Sequence, residues 1–196
     1  MDKRILLSYH EDIKPHEEII FSNHRRLLRN IERTGVIYRP VIVDKDTLTI
    51  IDGHHRYQTL VSLGYKFIPV VQADYMNDIY QIKPPIIKIN MNTDILLDLI
   101  EHQVKRGPGN LFLIGADKRV VVLRKDPLDT YYMLKDIAMI SVGKERKGYT
   151  RIIPPKLDPY DVRKAAGSKG LLPPKSTIHI TRLKNYYHPI RLSSLE

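Results

Sequence analysis

The residues with the most chemistry to offer stand together at Asp52, Gly53, His54, His55 and Arg56. An apolar run over residues 48–51 precedes them and reads as a buried strand. After them, Tyr57, Leu60 and Val61 recur at helical spacing. The five residues therefore sit where a strand turns into a helix. Gly53 lets the backbone turn tightly and come close to a ligand. The first turn of a helix leaves N–H groups without partners at the positive end of the helix dipole, which is a ready anion site. His54, His55 and Arg56 add side-chain donors, and Arg56 can grip a phosphate with two parallel hydrogen bonds. Asp52 is the one negative group of the cluster. A carboxylate beside a phosphate site is costly unless it holds a metal, orients a hydroxyl or takes a proton. The plain alternative makes Asp52 a helix N-cap and the rest a polar turn. Two histidines, an arginine and a glycine at one turn favour the ligand site.

A second group of phosphate-friendly donors lies far along the chain, at Lys175, Ser176, Thr177 and His179. The rigid stretch 170–174, which ends in two prolines, delivers it. Its plain alternative is a surface loop before a last strand. A third feature is His16 with Glu17, just after Pro15. Other chemistries lack their signatures. The chain has no Walker-type lysine loop, no dinucleotide glycine fingerprint and no protein-kinase signature set. No H-E-x-x-H zinc spacing occurs. His54 and His55 are adjacent, so on a helix they point in different directions and make a poor metal pair.

The elements that must position these residues follow from pattern and punctuation. Residues 4–7 read as a first strand. Ile19, Ile20, Leu27, Leu28 and Ile31 form an apolar stripe for a helix that stops at Gly35. Arg25, Arg26, Arg29 and Arg33 lie along that segment and read as its wet face. Strands follow at 41–43 and 48–51, joined by a turn whose Asp44 and Asp46 read as turn chemistry. The helix opened by Gly53 ends at Gly64, and 67–72 is another strand. This first stretch is a small α+β core. Beyond Pro84 and Pro85, the pattern predicts a strand at 86–89 and a helix capped by Asn92 or Thr93 with Ile95, Leu96, Leu99 and Ile100 on its apolar face. A hairpin over 111–123 and a helix from Pro127 to about 137 follow. Then come a charged loop at 144–148, a strand at 150–153 and a helix from Asp158 to about Ala166.

The chain has 196 residues, which suits one compact domain or two small ones. It has no cysteine, so disulfide and thiolate chemistry are excluded and a cytoplasmic setting is expected. The opening residues do not form a signal peptide, and no apolar run approaches membrane-spanning length. The formal charge of +10 favours polyanionic or phosphorylated partners, nucleotides or nucleic acid, without choosing between them.

The turn at Asp52–Arg56 after a strand resembles the ParB/sulfiredoxin superfamily, in which a G-x-x-R turn at a helix N-terminus holds nucleotide phosphates. The match runs further. Lys14 to Glu17, Gly35 to Pro40, Asp52 to Arg56, and Asp74 with Tyr75 are similar to the first domain of the ADP-dependent free L-serine kinases. The 112–123 hairpin and residues 174–179 are similar to that family's second domain. The resemblance implies a ParB/sulfiredoxin-like domain at 1–85, a smaller α/β domain at 86–196, and an active site in the cleft between them. It implies that the β-phosphoryl group of ADP passes to free L-serine, giving O-phosphoserine and AMP. Glu17 matches the base that takes the serine hydroxyl proton, and Asp52 the second catalytic acid. Gly53, His54, His55 and Arg56 would face phosphates. Lys175, Ser176, Thr177 and His179 would complete the phosphate site, with Thr177 and His179 near the transferred group. Mg2+ would bridge the phosphates, with Asp52 a possible contact. The alternative is a ParB-type regulator that uses a bound nucleotide as a switch and contacts nucleic acid through its basic surface. Such proteins place a helix-turn-helix after the first domain, and none is evident here.

Overall fold

The structure is a computed structural model. It describes residues 3–89, 94–96, 98, 100, 113–114, 126–140, 150–168 and 170–195. The chain divides into two compact units. The first comprises Met1–Ile82, Val162–Pro174 and His179–Glu196, and the second Lys83–Asp161 and Lys175–Ile178.

The first unit is built on a four-stranded sheet. Its strands are β1 (Leu6–Tyr9), β3 (Val41–Asp44), β4 (Ile50–Asp52) and β5 (Phe67–Ala73), in the order β1-β5-β3-β4. β2 (Val36–Ile37) lies outside this sheet. β5 pairs antiparallel with β1 and parallel with β3, while β3 and β4 are antiparallel. The pairing explains the residue types. All four residues of β3 are buried, and β5 buries Ile68 to Val71 without alternation. Central strands covered on both faces read as continuous apolar runs.

α1 (Phe21–Thr34) and α2 (His54–Ser62) pack together on this unit. α1 ends as its sequence demands. Gly35 takes φ +61 and its N–H donates to the Ile31 carbonyl, closing the helix in the left-handed conformation that glycine adopts without strain. Ile31, Ile37, Val41, Val43, Ile50, Leu60, Ile68 and Val70 form the core. Leu192 and Leu195 from the chain's end belong to the same cluster. β11 (Ile190–Arg191) pairs antiparallel with β2.

The second unit contains a three-stranded antiparallel sheet in the order β7 (Ile87–Ile89), β9 (Thr150–Ile152), β8 (Leu113–Ile114). Its helix α3 (Pro127–Ile140) is capped by Asp126, whose Oδ1 accepts the Leu128 N–H. Tyr131 is fully buried and its hydroxyl donates to the Pro155 carbonyl. Leu134, Ile152 and Leu157 are also buried in this unit.

Several expectations shift. The strand expected at 48–51 begins at Ile50, because the turn after β3 reaches further. The Thr47 hydroxyl donates to the Asp44 carboxylate, the Leu48 N–H donates to the Asp44 carbonyl, and Leu48 stands at φ +56. The first strand begins at Leu6 rather than Arg4, where its register with β5 starts at Leu6 opposite Val70. A single division between residues 85 and 86 was expected. Instead, later segments pack with the first unit. Leu192 and Leu195 fill its core, and Arg163 grips Asp44. Of the helix expected from the Asn92 or Thr93 cap to before Gly107, residues 94–96, 98 and 100 are helical, with Leu96 and Ile100 buried, and the other positions lie outside the described residues. Of the 111–123 hairpin, only Leu113 and Ile114 fall among the described residues. The 144–148 loop lies outside them.

Candidate functional site

The junction at residues 52–56 is built from the backbone outward. β4 ends at Asp52, and Gly53, at φ +110, is the N-cap of α2. Asp52 is therefore not the helix cap, and its side chain is available for other partners. It accepts from Arg56 Nη2 four residues on, and Lys184 Nζ stands 3.8 Å from its other oxygen. The Arg56 guanidinium folds back over Gly53. The backbone angle requires glycine here, and a Cβ built on Gly53 would come within 2.8 Å of Arg56 Nη2, so a larger residue would also make the arginine side chain shift. Burial lowers the Arg56 pKa, Asp52 opposes that shift, and the neighbouring Arg39 adds to it. Two guanidinium groups thus repel each other at the start of α2, and an anion would relieve the repulsion.

Arg39 and Arg56 share a cavity of about 250 Å³ with Leu27, Val36, Ile37 and Tyr38. Its apolar wall comes from α1 and β2, and its charge from the two arginines. Arg39 is steadied by donating to the Lys184 carbonyl, and Tyr38 stacks on Tyr187 at 5.8 Å.

Behind the junction lies a buried cluster. His16, Glu17, His54 and His179 are all buried. The His16 ring meets the His54 ring edge-on at 4.6 Å and the His179 ring at 6.3 Å. Glu17 Oε1 stands 3.5 Å from His16 Nε2. His179 Nε2 lies 3.1 Å from the Tyr75 hydroxyl. Burial, with the neighbouring His16 ring adding to it, lowers the His54 pKa to about 3 despite Glu17. Burial, again with His16, lowers the His179 pKa to about 3. Both rings are neutral at pH 7.

The segment that carries Glu17 is extended and held by its backbone. The Glu18 N–H donates to the Leu172 carbonyl, and the Leu172 N–H donates to the His16 carbonyl. The His16 N–H donates to His54 Nε2 at 3.3 Å, and the Ile20 N–H to His55 Nε2 at 2.9 Å.

The structure therefore brings Glu17, His54 and His179 into one buried cluster and places Asp52, Gly53 and Arg56 at the start of α2. His54 and His55 use their Nε2 atoms as acceptors for backbone N–H groups, which leaves Nδ1 as the donor of each ring. Lys175, Ser176 and Thr177 belong to the second unit, with Lys175 at φ +64 and Ser176 buried. Arg39 and Tyr75 lie in stretches that carry the resemblance, yet nothing in the sequence singled them out as site residues, and Lys184 stands in no motif at all. Asp44, read as turn chemistry, does bond within its turn. It also accepts from Arg163 Nε at 2.9 Å and Nη2 at 3.0 Å. Among the described residues no group of three or more His, Cys, Asp or Glu is arranged to hold a metal, and no described helix is long and apolar enough to cross a membrane.

No protein-family profile matches the chain. An ATP-dependent L-serine kinase of Staphylothermus marinus is 30% identical over 145 residues, 71% of this chain and 52% of that protein. A ParB-like protein of Sulfolobus acidocaldarius is 33% identical over 73 residues, 37% of this chain and 36% of that protein. An ADP-dependent L-serine kinase of Thermococcus kodakarensis is 32% identical over 72 residues, 35% of this chain and 30% of that protein. The chain thus spans about half the length of the first of these relatives and about a third of the others. In structure, a free serine kinase in complex with AMP superposes with a TM-score of 0.74 at 18% identity, covering 100% of this chain and 95% of the other. In sequence the chain is similar to ATP- and ADP-dependent L-serine kinases, and in fold to a free serine kinase.

Proposed function

We propose that the chain is a small-molecule kinase that moves the β-phosphoryl group of ADP to the hydroxyl of free L-serine, leaving AMP and O-phosphoserine. The observation that carries this reading is the junction at Asp52, Gly53 and Arg56, a phosphate-ready helix start with the buried Glu17 segment tied to the same helix. The nucleotide phosphates lie at the α2 N-terminus, where backbone N–H groups and Arg56 meet them. The 250 Å³ cavity suits the base, with apolar residues for its faces and Arg39 and Arg56 at its charged side.

Glu17 takes the hydroxyl proton of serine. The serine oxygen forms a bond to the β-phosphorus, the bond from that phosphorus to the bridging oxygen breaks, and AMP leaves with the electron pair. Arg56 stabilises charge that spreads over the phosphoryl oxygens. Asp52 orients the acceptor hydroxyl. Mg2+, which arrives with phosphates and needs only one or two carboxylates, would be held by Asp52, whose Oδ1 stands 3.8 Å from Lys184 Nζ, and would offset phosphate charge. Lys175, Ser176, Thr177 and His179 are proposed to serve the phosphates as the resemblance implies.

The matching serine kinases are named for both ATP and ADP, so the test carries both donors. Incubating the chain with Mg2+, ADP or ATP and a panel of amino acids should release AMP from ADP and phosphorylate serine alone. ATP as the working donor would move the cleaved bond one phosphate outward and leave the site residues in place. A ParB-like regulator is favoured only by the named ParB-like relative and the exposed Arg25, Arg26, Arg29 and Arg33 on α1. Salt-dependent binding of duplex DNA without any phosphoryl transfer would install it instead.

A further inference from the structure

The first-turn histidines of α2 stand next to the anion site, and their residue type suggests phosphate donors. Their bonds point elsewhere. We propose that His54 and His55 are positioning residues that fix the backbone of residues 16–20, and with it the Glu17 carboxylate, by accepting the His16 and Ile20 N–H groups on their Nε2 atoms. The inference rests on the proposed role of Glu17.

Three observations carry it. First, the two acceptors bracket Glu17, one at the residue before it and one three residues after. Second, the segment between them is clamped separately by Leu172, which exchanges two backbone bonds with His16 and Glu18. A short extended segment held at positions 16, 18 and 20 has little freedom left to misplace its carboxylate. Third, an Nε2 that accepts a hydrogen bond carries no proton, so each neutral ring must hold its proton on Nδ1. Such a ring offers no Nε2–H to a phosphate and keeps Nδ1–H as its one donor. The lowered pKa of His54 agrees, since burial keeps that ring neutral.

This arrangement gives the adjacent histidine pair a physical purpose. Neighbouring residues on a helix point in different directions. Two of them can therefore reach two separate N–H groups of one extended strand. The helix that presents the phosphate site thereby sets the position of the base as well. Substrate and base are registered to the same three residues of backbone, Gly53 to His55.

The test begins on the unaltered chain. Nitrogen-15 NMR at neutral pH should show both rings protonated on Nδ1 and bare on Nε2, with no change at saturating ADP. A proton on Nε2 of either ring, or one that appears there when ADP binds, overturns the proposal. The kinetic arm separates position from contact. His55→Leu should lower kcat by about 10²-fold, the scale of a small misplacement, while the ADP Kd changes by no more than about twofold. His55→Gln keeps an acceptor at similar reach and should recover most of the loss. A His55→Leu variant that loses ADP affinity and keeps kcat makes the ring a phosphate ligand and overturns positioning. If the unaltered chain transfers no phosphoryl group, the kinase reading fails by itself, and the NMR result still decides whether the histidines hold the segment.

Discussion

At the scale of single residues, charge and burial decide what each group can do. Arg56 is a buried cation with Asp52 on one side and the like charge of Arg39 nearby. Arg56→Ala should weaken ADP binding by about 1.5–3 kcal/mol, the range for a charge-assisted hydrogen bond. Calorimetry that finds equal affinity removes Arg56 from the site. The buried histidines make a separate prediction about pH. His54 and His179 have native pKa values lowered to about 3 from the ordinary 6.5. Between those values the unfolded chain binds protons that the native chain refuses. Their contribution to stability is therefore complete above pH 6.5 and is lost as the pH falls toward 3. The slope is about 1.4 kcal/mol per pH unit for each ring. Urea titrations should show the decline, and His179→Gln should remove about half of it. Stability that stays level from pH 6.5 downward contradicts the assignment. The legible part of the site was the strand–glycine–helix junction, because periodicity and the glycine announced it. The histidine roles were not legible. Whether an imidazole donates or accepts depends on a partner, and here the partners are backbone groups 35 and 38 residues earlier in the chain.

At the scale of elements, two glycines with positive φ do different work. Gly35 closes α1, and a Cβ there would meet nothing within 4 Å. Gly35→Ala should cost about 1 kcal/mol through the backbone angle alone and leave ADP affinity unchanged. At Gly53 the same substitution drives a methyl group into the Arg56 guanidinium. Gly53→Ala should therefore displace Arg56 and weaken ADP binding as Arg56→Ala does. Paired melts and calorimetry on the two variants compare them directly, and equal ADP affinities in both would contradict the stacked geometry. Most element positions followed from the sequence, since Gly35, Gly64 and Pro127 punctuate helices by local physics. The start of β4 did not. Leu48 looks like strand on hydrophobicity, yet the bond from the Thr47 hydroxyl to Asp44 extends the turn through it.

At the scale of the whole chain, the first unit is completed by residues far from it in sequence. Leu192 and Leu195 enter a core otherwise made by residues 13–70. Leu192→Ala should destabilise this unit by about 2–4 kcal/mol, the usual cost of emptying a buried leucine site, and a urea midpoint equal to that of the unaltered chain would place the C-terminal segment outside the core. Neither this return nor the Arg163 grip on Asp44 could be read from local pattern, because each joins residues more than a hundred positions apart and depends on which surfaces remain uncovered. The formal charge of +10 suited a phosphorylated ligand, and the proposed function seats that ligand at the cavity shared by Arg39 and Arg56.

In the proposed reaction this chain phosphorylates free serine with Glu17 as the base. The most direct test measures O-phosphoserine formed from ADP and L-serine by the unaltered chain, Glu17→Gln and Glu18→Gln, with ADP affinity determined in parallel. The unaltered chain should form product, Glu17→Gln should lose about 10²–10⁴-fold at nearly unchanged ADP affinity, and Glu18→Gln should change little. Absence of O-phosphoserine from the unaltered chain with either ADP or ATP, or a Glu17→Gln variant that turns over like it, would contradict the claim.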